Sequence, residues 1–549
     1  YAGDGGNDFD KTVLIGMYAG SGGMGSGADG TIAIGYEALA ALTSGANNIA
    51  IGKQAMQVHT TGARNIAIGS NAMDDTNAGS NSLNSSDNIF IGNHAGAGTW
   101  TDVLSQYNIG IGTNTLDGGL DGADYNVMIG YGAGSAITTA EKSVGIGGSA
   151  LLSATTSTLN TAVGMEAGIS LTTGAGQNVF LGYQAGRQAT TTTYSVFIGA
   201  YAGYNQSIGS YGNVHIGWVA GQYASGSNNT FVGQEAGKGG TTSAPFSSGQ
   251  NNTAVGKAAL DAFTTGDNNV AVGVNALGAL TTANNNIGIG QGAGDVITTG
   301  EANILIGSDA GGSITTDQYV TIVGYSSGQY MEAGNGNRYN SYFGAVAGYR
   351  GGPGVSQTYL GANSGLYATG SYNTFVGHDA GKGGTTSAPY SSGGNNTAVG
   401  YQALDAFTTA KDSVAVGFNA LGDLTTGFGN IAIGRDAGAD ITTGGYGIYI
   451  GHNAGGDNLL GNMNVFVGFE AGRSAADSVA YSVAIGAYAG KSTAVNTNIA
   501  IGYQAAQTHT TGGNNIAIGY QAMNDTDAGS NSLGSESNVF IGADSGGGT

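Results

Sequence analysis

The side chains that could do chemistry in this sequence are few and scattered. The six histidines are His59, His94, His215, His378, His452 and His509, and no two stand at HExxH or another close ligand spacing. His59 and His509 occupy the same place in a His-Thr-Thr-Gly turn. His215 lies mid-strand, where a threefold assembly would gather three copies on one axis. That is the one place to weigh a bound ion, and the reading adopted is a packed imidazole. Gly324-Tyr325-Ser326-Ser327-Gly328 spells the G-x-S-x-G of a nucleophile elbow, but such a serine needs a strand before it and a helix after it. The glycine-rich stretch from Gly20 to Gly27 lacks the Lys-Ser/Thr and following helix of a phosphate loop. There is no cysteine, so disulfides and thiolate metal sites are excluded. Asp and Asn in turns could hold structural calcium, but the Gly- and Asp-rich nonapeptide of calcium β-rolls is absent, and no cofactor is assigned. Thr-Thr pairs would bind ice only as a flat, regular array. Here they recur irregularly in turns and are read as loop chemistry. A polysaccharide-cleaving β-helix would need carboxylates or basic groups clustered in a groove. Charged residues are only 9% of the chain and evenly spread, so the expectation is that the chain is not an enzyme.

What remains as candidate contact residues are aromatics on long loops. Phe246 and its counterpart Tyr390 sit mid-loop in two of the longest insertions, where an exposed ring could meet a glycan or receptor. The competing expectation is that each loop folds back over the body of the protein.

The elements that would position these residues come from one repeat. Its pattern is Asn, branched aliphatic, any residue, branched aliphatic, Gly, two variable residues, Ala, as in Asn48-Ile49-Ala50-Ile51-Gly52-Lys53-Gln54-Ala55. It recurs 30 times from Gly16 to Gly542, about every 18 residues, with Ala three positions past the glycine in 26 copies. Residues 229–282 and 373–426 are near-duplicates, as are 48–99 and 498–549, and 1–549 reads as a single continuous array. A fixed period of this length means a solenoid. The alternation before each glycine is a strand. Gly52, Gly69, Gly256, Gly273, Gly502 and Gly519 are turn glycines that supply positive φ. The predicted fold is therefore an all-β parallel solenoid of about 30 coils. Each coil would hold two or three short strands, and strand spacing of about 4.8 Å would give a rod of roughly 140 Å. The column of Asn before each strand is placed to form an amide ladder. The middle residue of the strand is apolar almost throughout, so both strand faces are expected to be buried, one inside the coil and one against further copies of the chain.

Composition sets further bounds. Glycine is 106 of 549 residues, against an average near 7%, and the three prolines show no G-X-Y period. With a net charge of −21 and only 14 Lys and Arg, the chain cannot neutralise phosphates, so nucleic acid is excluded as a partner. No apolar run approaches a membrane span.

The Asn-x-Ala-Ile-Gly-x-x-Ala unit resembles the head repeats of trimeric autotransporter adhesins, a left-handed parallel β-roll. Together with spacing such as that from Asn252 to Gly266, it is also similar to repeats in long tail fibres of marine and cyanobacterial phages. The resemblance implies a homotrimeric, extracellular fibre on a cell surface or virion tail that adheres to a glycan or receptor. A self-assembling matrix or sheath filament is the alternative. Joining Thr549 to Tyr1 reproduces a spacing found inside the chain, which carries the expectation of end-to-end continuation. No coiled-coil stalk, neck or anchor is recognisable in the sequence.

Overall fold

The computed structural model describes residues 11–76, 82–174, 176–206, 209–241, 246–331, 338–457, 460–475, 479–492, 496–509, 512–524 and 536–546. The expected join of Thr549 to Tyr1 lies outside them, as do parts of the long loops between Asp74 and Asp87 and between Lys238 and Asn251. The chain forms two compact units, Tyr1–Thr282 and Ala283–Thr549.

The first unit holds fifteen strands, β1 (Val13–Ile15) to β15 (Val270–Val272); the second holds fifteen more, β16 (Ile287–Ile289) to β30 (Val539–Ile541). Within each unit every strand pairs in parallel with the next. The register carries equivalent residues onto one another: Ile49, Ala50 and Ile51 of β3 (Ile49–Ile51) face Ile66, Ala67 and Ile68 of β4 (Ile66–Ile68). Each unit is thus a parallel β-solenoid. The only helical pieces among the described residues are two 3-10 turns, Ser26–Ala28 and Ser82–Asn84.

Each coil carries one named strand of three residues, not the two or three strands expected. The cause is local backbone geometry. After Gly52 (φ 140°) the chain alternates into the left-handed region at Gln54 (φ 57°) and Met56 (φ 51°), which prevents an extended run. Coil-to-coil hydrogen bonding continues regardless. Gln54 N donates to Tyr36 O at 2.8 Å and Met56 N to Ala72 O at 2.9 Å. The turn glycines stack closely: a Cβ on Gly52 would lie 2.3 Å from Gly69 O, and one on Gly256 would lie 2.5 Å from Gly273 O. Only glycine fits that column.

The interior is the opposite strand face from the one expected. The middle residues, such as Ala50, Phe90, Met128 and Phe231, are fully buried inside their own coil. The flanking Ile and Val point outward and are half-buried or exposed. His215 therefore does not face a partner. It is buried in the first unit, stacked between Phe197 and Phe231 at 4.9 Å from each.

Inside the coil, volume is balanced between two positions. In most coils where the mid-strand residue is small, the residue four past the turn glycine is Leu or Met: Ala50 pairs with Met56 and Ala254 with Leu260, Ala50, Met56, Ala254 and Leu260 all being fully buried. Where it is large, that position is glycine. A Cβ on Gly237 would come within 2.4 Å of the Phe231 ring, and one on Gly96 within 2.8 Å of Phe90. When both are small, neighbouring coils fill the gap: a Cβ on Gly168, which follows Ala162, would lie 2.7 Å from Phe180.

The asparagine column is a ladder. Asn65 donates its backbone N–H (2.9 Å) and side-chain amide (3.3 Å) to Asn48 Oδ1. Asn88 does the same to Asn65 at 3.0 and 3.2 Å. These amides are fully buried, so each partner matters energetically. A serine can stand in: Ser143 accepts from Asn160 N at 3.2 Å.

Candidate binding surface

Most of the sequence-singled residues serve the fold. In Gly324–Gly328 the middle serine, Ser326, is buried, and Ser327 Oγ donates to Ala347 O at 2.9 Å. The strand before it (Thr321–Val323) is followed by another turn, not a helix. His59 is buried beside the ladder, with Nε2 3.2 Å from Asn65 Nδ2, and burial pushes its pKa down to about 4. Among the described residues no cluster of His, Asp and Glu could hold a metal ion. Phe246 and Tyr390 are half-buried. Each stacks on a tyrosine of the neighbouring coil, Phe246 on Tyr223 at 6.3 Å and Tyr390 on Tyr367 at 6.2 Å, and the Arg350 guanidinium lies 5.9 Å from the Tyr390 ring. The Thr-Thr pairs are more regular than the sequence suggested. Thr138, Thr155 and Thr172 form a column, each donating its hydroxyl to the threonine carbonyl one coil on at 3.1–3.3 Å. The hydroxyls of this column are spent on bonds between successive coils.

Two outward features remain. The first is the outer strand face. No strand carries a charged residue at either outward position, and the centre of the face is aliphatic. Exposed rings flank it. Tyr107 and Tyr125, each two residues before a strand, stack at 4.8 Å in the first unit. In the second unit His378, Tyr401 and Phe418, each directly after a turn glycine, stack at 5.5 and 5.3 Å. An uncharged face with aromatic margins is unlike ordinary solvated surface.

The second is an open cleft of about 630 Å³ in the first unit, lined by Asn93, His94, Ala97, Gly98, Thr113, Asn114, Asp117 and Tyr131. Three successive coils build it: Asn93, His94, Thr113, Asn114 and Tyr131 come from the two positions after the turn glycines Gly92, Gly112 and Gly130, and Ala97, Gly98 and Asp117 from the segment five or six residues past them. The two positions after each turn glycine are the variable ones in the repeat, so their residues do not stand out in the sequence. The available signal was a tyrosine, two amides and a histidine gathered in three neighbouring copies of those columns, with Asp117 five residues past its turn glycine.

The fold defines the class: a parallel β-solenoid repeat protein. The chain matches no protein-family model and no curated protein.

Proposed function

We propose that this chain is the body of an extracellular adhesive fibre, a phage tail fibre or bacterial surface adhesin, whose outer strand faces pack against identical copies around a threefold axis. The observation that carries this reading is the uncharged outer strand face repeated on all thirty strands. A monomer would leave that apolar surface in water, which soluble proteins avoid. Parallel, in-register repetition makes a second copy of the chain the natural cover, because every coil presents the same chemistry. The surrounding acidity keeps such a fibre soluble. The Gly324–Gly328 motif serves the packing, with Ser326 buried and Ser327 Oγ bonded to Ala347 O, so it lends no support to a catalytic serine.

Sedimentation velocity of the full chain, with electron micrographs of the native particle, tests the proposal. Trimers seen as projections on a cell or virion are the expected result. A stable monomer with no attachment would overturn it, and free filaments without attachment would favour the matrix or sheath alternative.

A further inference from the structure

The cleft has a chemistry of its own. Tyr131 follows the turn glycine Gly130 and is 65% exposed, so its ring is free to be covered. The residue after it, Gly132 (φ 64°), has no side chain, whereas the two preceding coils place His94 and Asn114 at that position. Asn93 Oδ1 lies 2.5 Å from His94 Nδ1. The amide oxygen can only accept, so in the neutral ring Nδ1 carries the proton and Nε2 keeps a lone pair. Asp117 contributes a carboxyl whose pKa burial raises, against smaller lowering by a hydrogen bond from its own backbone N–H and by His94.

The walls are rigid. Asn114 N donates to Asn93 O at 3.0 Å and Gly132 N to Thr113 O at 2.9 Å, so all three coils are tied at the cleft itself. Trp100, fully buried, donates Nε1–H to Gly96 O at 3.0 Å, and Thr99 Oγ1 donates to Asp75 at 2.6 Å. These bonds clamp the segment that carries Ala97 and Gly98. A Cβ on Gly98 would lie 2.1 Å from Asp117 O, so the floor is backbone against backbone. A pre-formed site avoids the ordering cost of binding.

We propose that this cleft is a saccharide-binding site, with Tyr131 stacking on the apolar face of a neutral sugar while Asn93, Asn114, Asp117 and His94 hydrogen-bond its hydroxyls. The volume falls in the range of ligand sites, about 300–1,000 Å³. No Lys or Arg lines it, so an anion would find no counter-charge and would meet Asp117 instead. Ala97 is the only aliphatic side chain of the lining, so a lipid would find little to bury against. Amides and a carboxylate beside an exposed ring suit a ligand that is polar at its edge and apolar on its face. The assignment rests on the adhesive reading above and gives that reading a ligand class.

Ligand-observed saturation-transfer NMR on the full chain, with glucose, galactose, mannose, N-acetylglucosamine and their β-linked dimers as probes, tests it. At least one probe should bind. Tyr131→Ala should weaken that binding at least tenfold and Asp117→Asn several-fold, while Tyr325→Ala, a ring 63% exposed in the second unit, should leave it unchanged. No binding by any probe, or binding that survives Tyr131→Ala, overturns the site. The two readings fail separately. A chain that attaches to cells but binds no probe sugar removes the site and keeps adhesion. Sugar binding by a chain that decorates no cell keeps the site and removes adhesion.

Discussion

His215 shows what a single residue costs in this interior. It takes a place that neighbouring coils give to Phe180, Phe197 and Phe231, and neither ring nitrogen has a hydrogen-bond partner. Burial alone pushes its pKa down to about 3. The folded pKa lies below the unfolded value near 6.5, so the unfolded chain takes up a proton that the folded chain refuses. Stability is therefore full above about pH 6.5 and falls as the pH drops toward 4, by about 3 kcal/mol from this site. His59 adds to the loss over the same range. Asp405 opposes it, because burial raises its carboxyl to about 6. His215→Phe should flatten the acid dependence of hydrogen exchange in the coils around β12 (Val214–Ile216); an unchanged profile would mean that the ring is hydrated. The asparagine ladder gives a second expectation. Asn65→Leu orphans the buried Asn88 N–H, while Asn88 Nδ2 keeps Ser86 O and Ser105 O, and should cost about 1–3 kcal/mol for the orphaned group. Asn65→Ser, which copies Ser143, should cost less. Local exchange rates at Asn88 measure both. The ladder was legible in the sequence because Asn recurs at a fixed offset from glycine. The fate of His215 was not, because both faces of its strand are apolar and alternation alone cannot say which one turns inward.

At the scale of the coil, the exchange of volume between mid-strand and turn makes a quantitative test. Phe231→Ala should open a cavity and destabilise its coils by about 3–5 kcal/mol. Adding Gly237→Leu copies the arrangement of Ala254 with Leu260 and should recover most of the loss. Leucine tolerates the required backbone there, since Leu260 itself has φ 54° and Gly237 has φ 52°. Chemical denaturation of the single and double variants decides it, and a double variant no better than Phe231→Ala would reject the pairing. This reciprocity was present in the sequence and identifies the inward face. It goes unseen when each column is read alone, because either column by itself looks merely variable. The strand count was misjudged for a related reason. Left-handed residues such as Gln54 and Met56 carry ordinary side chains, and nothing in their type announces a positive φ.

For the whole molecule, the proposed assembly depends on the outer strand face. Ile51→Lys with Ile216→Lys places charges on two half-exposed outward positions of the first unit. Such changes should alter the stability of a lone chain by no more than about 0.5 kcal/mol, yet they should break up a trimer on sedimentation, since a charge buried without a partner costs far more. Oligomers that persist unchanged would place the interface elsewhere. The cleft at Tyr131 was illegible from sequence because it belongs to three coils at once, and only the stacking register brings Asn93, Asn114 and Tyr131 together.

Because a block of coils carries its interior ring contacts within itself and meets the next coils largely through backbone, glycine and asparagine, whole blocks behave as interchangeable cassettes. The near-identical blocks 229–282 and 373–426 keep the same internal geometry, with Phe231 against Phe263 at 5.5 Å and 60° and Phe375 against Phe407 at 5.6 Å and 59°. A gene built this way can gain or lose three coils in one recombination event without any compensating substitution. Coil number can then drift between related lineages while the packing rule within each coil stays fixed.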